Sequence, residues 1–245
     1  MSNPSIFRRI TSVFEPAALK GAVSGALALF ALVVPQQASA EIDVSVYTGW
    51  QTAPHSNISG NDPAAGGIGV FDFTAGWTAD SFSAPPYYGI RAVWWQNDRW
   101  GYDVDFNHTK VYADSETLGL AGKSGGFQVL EFTDGLNALT FGVVRRWQDG
   151  FGRITPYAGA GIGVAIPHVE VQTAAGAPET FGYQIGGPAV SWRVGGTMDV
   201  SENWGVFAEY KGTYSMLDVD LDGGGNLKTN IVTNALNFGV QYTFD

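Results

Sequence analysis

NALNFGVQYTF, residues 234–244, decides the fold of this chain. Leu236, Phe238, Val240, Tyr242 and Phe244 alternate with Ala235, Asn237, Gly239, Gln241 and Thr243. A period of two is that of a β-strand, with one face apolar and the other small or polar. Strands that carry apolar residues toward lipid and polar residues toward a lumen build outer-membrane barrels. An aromatic close to the final residue suits such a barrel, and here only Asp245 follows Phe244.

Working back from this segment, similar runs recur at intervals set by turn-like stretches. Eight strands are predicted near 42–52, 87–96, 99–113, 136–147, 154–168, 187–200, 203–216 and 228–244. The connections alternate in length. Gln96–Arg99, Gln148–Arg153 and Ser201–Asn203 are short, while 53–86, 114–135, 169–186 and 217–227 are long. Short periplasmic turns and long extracellular loops follow that alternation. The expectation is an all-β, eight-stranded antiparallel transmembrane β-barrel with long extracellular loops, both ends lying in the periplasm. Residues 70–77 (VFDFTAGW) also alternate. A ninth strand would leave the C-terminus outside, so this segment is placed within a structured first extracellular loop.

The composition agrees. The 245 residues include 33 Gly, 8 Trp, 10 Tyr and 15 Phe, and only 15% are charged. Glycine is well above, and charge well below, their usual shares of about 7% and 25%. The absence of cysteine excludes disulfides, thiolate nucleophiles and iron–sulfur clusters. A net charge of −10 with few Lys and Arg argues against nucleic acid as a partner. Residues 1–40 read as a signal peptide: Arg8, Arg9 and Lys20, then the apolar stretch 21–34, then Ala38-Ser39-Ala40. Cleavage is expected near Ala40, leaving 41–245 as the barrel. That part holds 10 Lys and Arg against 22 Asp and Glu, a net charge of −12.

The alternative is a soluble sandwich or lipocalin-like barrel with its apolar face inward. Trp94, Trp100, Tyr102, Trp192, Trp204, Tyr242 and Phe244 fall near strand ends, where membrane barrels carry aromatic girdles. The opposite face carries Asp43, Arg91, Asp103, Asp105, Arg146, Arg193, Asp199, Glu209 and Lys211, beside the row Gly159, Gly161 and Gly163. That face is too ionic for an apolar pocket. In an eight-stranded lumen filled by side chains, these charges are expected to form an ion-pair network. Open diffusion through the barrel is not expected.

Familiar motifs fail. Gly159–Val164 lacks the third glycine of a dinucleotide loop, and Thr117 stands where a P-loop ending at Ser124 needs glycine. The three histidines, His55, His108 and His168, all fall on the extracellular side of the predicted barrel. Asp114, Glu116, Glu131, Asp134 and Glu170 lie near them in sequence. Imidazoles and carboxylates serve as acid–base groups and as metal ligands. His55, His108, His168, Glu131 and Asp134 are therefore candidate catalytic residues. His55, His108, His168 and Glu170 are candidate ligands of a divalent metal. The plainer reading is that these are polar rim residues that only stabilise loops. Lys110, Lys123 and Lys228 are candidate contacts for lipid phosphate.

Several segments carry a family resemblance. They include YTGWQTAPHS (47–56), PPYYGIRAVWW (85–95), VDFNHTKVYAD (104–114) and EFTDGLNALT (131–140). Further on are TPYAGAGIGVAIPHVEV (155–171), GPAVSW (187–192), EYKGTYS (209–215) and TNIVTNALNFG (229–239). Together they resemble the outer-membrane barrels called lipid A oxidases. The resemblance implies a bacterial outer-membrane, OmpA-like barrel and O₂-dependent oxidation of the proximal glucosamine of lipid A to 2-aminogluconate. It also implies lipid A and lipopolysaccharide as partners, a divalent metal as a candidate cofactor, and the barrel-assembly machinery during insertion. The other reading is a non-catalytic, OmpA-type structural or adhesive barrel. Reaction of a sugar with O₂ usually uses a flavin or redox metal, and the chain shows no flavin motif and no cysteine.

Overall fold

The computed structural model describes residues 41–120, 126–148 and 152–244. The predicted signal segment 1–40, its expected cleavage point and Lys123 lie outside the described residues.

Eight strands close on themselves. They are β1 (Ile42–Thr52), β5 (Tyr88–Trp95), β6 (Trp100–Ala113), β7 (Phe127–Arg146), β8 (Thr155–Thr173), β10 (Gly187–Asp199), β11 (Trp204–Leu221) and β12 (Gly225–Phe244). Each pairs antiparallel with the next in this order, and β12 pairs with β1 to complete the ring. Followed across the ladders, Ile42 leads to Trp94, Tyr102, Val143, Ala160, Trp192, Gly212 and Asn234. Asn234 returns to β1 at Thr52, ten residues beyond Ile42. That stagger gives the strands the tilt, about 35–45°, of a small closed barrel.

The two faces separate as the alternation requires. Val44, Val46, Ile90, Phe141, Val143, Ile162, Val194, Leu236, Phe238 and Val240 all point outward and are exposed. A continuous outward apolar surface over a charged interior is stable only with hydrocarbon around it. Trp204, Tyr242 and Phe244 stack edge to face at the end where the chain termini of the barrel meet, forming part of one girdle. Trp50 packs against Phe82 and Phe238 toward the other end.

Within the lumen, Asp105 accepts hydrogen bonds from Arg91 Nε (2.7 Å), Tyr47 Oη (3.0 Å) and the Lys211 ammonium. Arg193 pairs with Asp103 at 2.7 Å. Glu209 accepts from Arg91, from Tyr157 Oη at 2.7 Å and from Asn237 Nδ2 at 3.0 Å. Asp43 accepts from Trp95 Nε1 and Thr243 Oγ1, while Arg146 pairs with Glu41 at 2.5 Å. Asp199 departs from the expected network. It is exposed at the periplasmic end, where β10 ends, and forms no ion pair among the described residues. Glycines make room for the large rings: Tyr47 lies over Gly89, and Phe207 over Gly239. The periplasmic end retains a polar cavity of about 300 Å³ bordered by Glu41, Asp43, Arg146, Arg193 and Asp199.

The outer half differs from expectation in two respects. The strands predicted near 136–147, 154–168, 203–216 and 228–244 extend further at their outer ends, as β7, β8, β11 and β12 of 20, 19, 18 and 20 residues. A tilted strand crosses the bilayer in about 9–11 residues, so roughly half of each projects outward. The interior at that level is also apolar, not ionic. Phe132, Leu136, Val169, Leu217, Leu227 and Ile231 are buried in one cluster. The projecting ladders must bury one face above the membrane, and these side chains fill it.

The long first loop covers this cluster. It contains β2 (Ser56–Asp62), β3 (Gly69–Ala75) and β4 (Trp77–Thr78). β2 pairs with both β12 and β3, and β4 pairs with β6. The segment 70–77 is thus extended but lies off the barrel, as the even strand count demands. Ile58, Phe71 and Trp77 bring their apolar faces to the outer core. A short helix, α1 (Ser115–Leu120), follows β6, and β9 (Thr180–Tyr183) pairs with the upper part of β8. Asp114 caps the helix by accepting from the Thr117 amide at 2.8 Å.

Candidate functional site

Two of the three histidines share one wall of the barrel. Along β8, Ile162 and Val164 point outward, and His168 continues the same parity. Along β6, His108 shares the outward parity of Tyr102 and lies directly opposite Tyr88. His108 stacks on Tyr88 with ring centroids 5.1 Å apart. Both imidazoles are nevertheless buried, because neighbouring side chains lie across them.

A break in the β7–β8 register between Glu131 and Leu136 brings them a common neighbour. The extra residues arch outward and expose Asp134. Asp134 Oδ2 lies 3.8 Å from His168 Nδ1. The next residue, Gly135, has φ of 130° and passes so close to His108 that a β-carbon would meet its Nδ1 at 2.7 Å. Only glycine accepts both conditions without strain. Tyr183 Oη donates to the Asp134 carbonyl at 2.6 Å and fixes the arch from β9.

The hydrogen bonds set the proton inventory. His108 Nδ1 lies 2.9 Å from Asn137 Oδ1. With Nδ1 donating to that carbonyl oxygen, Nε2 carries the lone pair. Nε2 is buried and has no hydrogen-bond partner, and neither has His168 Nδ1. Phe181 and Tyr183 pack edge-on against the His168 ring, with centroids 4.5 and 4.8 Å away. One step further out, Glu131 stands opposite Glu170, and Glu170 opposite Phe181. Partial burial raises the Glu170 carboxyl above its usual range, and the charges of Glu131, Glu179 and Asp134 add to the rise.

His55 does not join this group. It is exposed just before β2, and its charge acts on Asp114. The Asp114 carboxyl is held below its usual range, first by the Thr117 amide and hydroxyl and to a lesser degree by His55. A single site built on all three histidines is therefore corrected to a pair, His108 and His168, about Asp134. Among the described residues no three His, Asp or Glu side chains are arranged to hold a metal ion. Two imidazoles and one carboxylate are near one another, but they do not form a preset donor set, and a divalent metal does not fit them as they stand.

The lysines also separate. Lys110 is buried, and its ammonium reaches the carbonyls of Ser83 and Ala84 at 3.3 and 3.4 Å. It pins the first loop and is not presented to a lipid phosphate. Lys228 is exposed on β12 and pairs with Asp218 at 2.8 Å. Tyr88, Asn137 and Tyr183 were not singled out from the sequence. Tyr88 and Asn137 could have been reached by pairing the expected strands. Tyr183 could not, since β9 lies inside an expected loop.

No family model and no curated protein matches the chain. Among solved structures it is similar to Neisserial surface protein A, at 16% identity and TM-score 0.45, over 83% of this chain and 97% of that one. It is also similar to outer membrane protein AlkL, at 14% identity and TM-score 0.46, over 86% and 95%. A further similarity is to Ail, the attachment invasion locus protein of Yersinia pestis, at 13% identity and TM-score 0.34, over 82% and 100%. The closed register and the outward apolar belt of the chain itself define the barrel.

Proposed function

We propose that this chain is a bacterial outer-membrane barrel that acts on lipid A, oxidising its proximal glucosamine to 2-aminogluconate. One observation carries the reading. His108, His168 and Asp134 are on the outward wall, beyond the apolar belt, where the headgroup of an outer-leaflet lipid would meet them. A site for a soluble solute would instead open to the lumen or to bulk water. The segments that resemble lipid A oxidases contain all three of these residues.

The chemistry asks for proton acceptors beside the sugar. Oxidation of the anomeric hemiacetal removes two electrons and two protons from its C1–H and O–H bonds. With O₂ as acceptor the products are the lactone and hydrogen peroxide, and water then opens the lactone to the acid. His168, with Asp134 beside it, is the candidate base for the hydroxyl proton. His108 Nε2 is a second lone pair on the same wall. These residues move protons and orient the sugar, and O₂ is the terminal electron acceptor.

Mass spectrometry of lipid A from strains with and without the gene, grown in air, tests the reading. The expected product is heavier by one oxygen, about 16 mass units, and is lost on deletion. Unchanged lipid A would overturn it. The second reading, a non-catalytic structural or adhesive barrel, is favoured by the filled lumen and the lack of a preset metal donor set. It predicts unaltered lipid A and impaired envelope integrity or attachment on deletion.

A further inference from the structure

A carboxylate oxygen beside the tip of the β11–β12 hairpin is left unsatisfied by the fold. Asp62 ends β2, is 3% exposed, and its Oδ1 is buried without a hydrogen-bond partner. It is wedged between two glycine turns. A side chain at Gly67 would meet Oδ1 at 2.7 Å, and one at Gly223 would collide with the same atom. The first turn follows β2. The second is the tip of the β11–β12 hairpin, within DVDLDGGGN, residues 218–226.

An isolated buried carboxylate is unfavourable unless a cation or donors reach it. No Lys, Arg or His forms an ion pair with Asp62 among the described residues. The surroundings increase the negative charge. Asp222 immediately precedes Gly223, and it borders an open hollow with Glu179 and Phe181. Asp220 is exposed on the same hairpin. Lys228, near the hairpin tip, is taken by Asp218. Glycine at 67 and at 223 keeps free the space beside Oδ1 that a side chain would fill.

We propose that Asp62 anchors a calcium-type divalent-cation site joining the first outer loop to the β11–β12 hairpin. Hard cations of this class take six to eight oxygens from carboxylates, peptide carbonyls and water. Asp62 supplies the buried carboxylate, and Asp222 brings a second to the same turn. Backbone carbonyls and water complete the shell. The cation removes the penalty at Oδ1 and fastens the 63–68 turn over the apolar core. This site is separate from the histidine wall and does not depend on lipid A chemistry.

Equilibrium dialysis of the detergent-folded full chain against radioactive calcium tests the proposal, with EDTA as control. The expected result is one calcium per chain, with affinity about tenfold or more weaker in Asp62→Asn and weakened also in Asp222→Asn. Limited proteolysis gives a second readout. Calcium should protect the 63–68 turn in the wild type and have no effect in Asp62→Asn. In EDTA, Asp62→Asn should resist cleavage at least as well as wild type, because the amide removes a buried charge. No calcium binding by the wild type, or equal binding by wild type and Asp62→Asn, would overturn the proposal.

Discussion

Arg91 lays two nitrogens of its guanidinium on Glu209, with Nη1 and Nη2 at 2.9 and 2.7 Å from the two carboxylate oxygens. Its third nitrogen, Nε, donates to Asp105 at 2.7 Å. One cation thus serves two buried carboxylates on opposite walls, β6 and β11. Replacing it by Met would leave Asp105 paired with Lys211, and Glu209 with no direct ion pair among the described residues. Removing one partner of a buried pair costs about 3–5 kcal/mol. Arg91→Met should therefore lower the urea midpoint of the barrel folded in lipid vesicles, with Glu209→Gln lowering it less. An unchanged midpoint would show that water already satisfies these acids.

The filled lumen makes a second prediction. The polar network occupies the middle of the barrel, and the apolar cluster around Phe132, Leu136 and Ile231 fills the outer part. The periplasmic cavity therefore ends blindly against Arg193 and Arg91, both of which border it. Purified protein in a planar bilayer should show no sustained pore conductance in 0.1–1 M salt, a range spanning Debye lengths of about 10 to 3 Å. Steady single-channel steps in the wild type would refute the closed lumen.

Much of this architecture is legible in the sequence. The period-two segments locate all eight barrel strands, because lipid on one side and a lumen on the other impose strict alternation. The outer extensions were hidden for a physical reason. Above the bilayer the outward face is wet, so Glu131, Glu170 and Asp218 interrupt the apolar pattern that marks a spanning strand. Leu217, Val219 and Leu221 still alternate there, and point inward to the outer core. The histidines illustrate a different limit. Sequence places each at an outer strand end, but which wall they share depends on ladder register. The arch at Asp134 arises from a register break, and such a break has no residue signature beyond Gly135.

Glu170 should make the outer wall pH-sensitive. Its carboxyl is raised by burial and then by the charges of Glu131, Glu179 and Asp134. The folded state therefore holds this proton more tightly than the unfolded chain, whose value is near the ordinary 4.5. Its contribution is most favourable below that value and is lost as pH rises through the raised folded one. Amide exchange of residues 168–172 should quicken as pH climbs through this window, after correction for intrinsic rates. Glu170→Gln should flatten the response. A response equally steep in the variant would assign it to another group.

The histidine pair makes the sharpest separation between the two functional readings. His168→Ala and Asp134→Asn should abolish the oxidised lipid A, while His55→Ala should leave it in place. His108→Ala should reduce it, and His108→Gln should reduce it less if the ring mainly holds the arch in position. Removal of a proton-transfer group commonly costs about 10²–10⁴ in rate. Folding has to be checked in the same samples, because His168 also packs between Phe181 and Tyr183. Equal heat-modifiability of variants and wild type on gels would show that the barrel is intact. Under that control, loss of product in His168→Ala but not in His55→Ala places the chemistry on the β6–β8 wall. Loss in both, or in neither, would refute that placement.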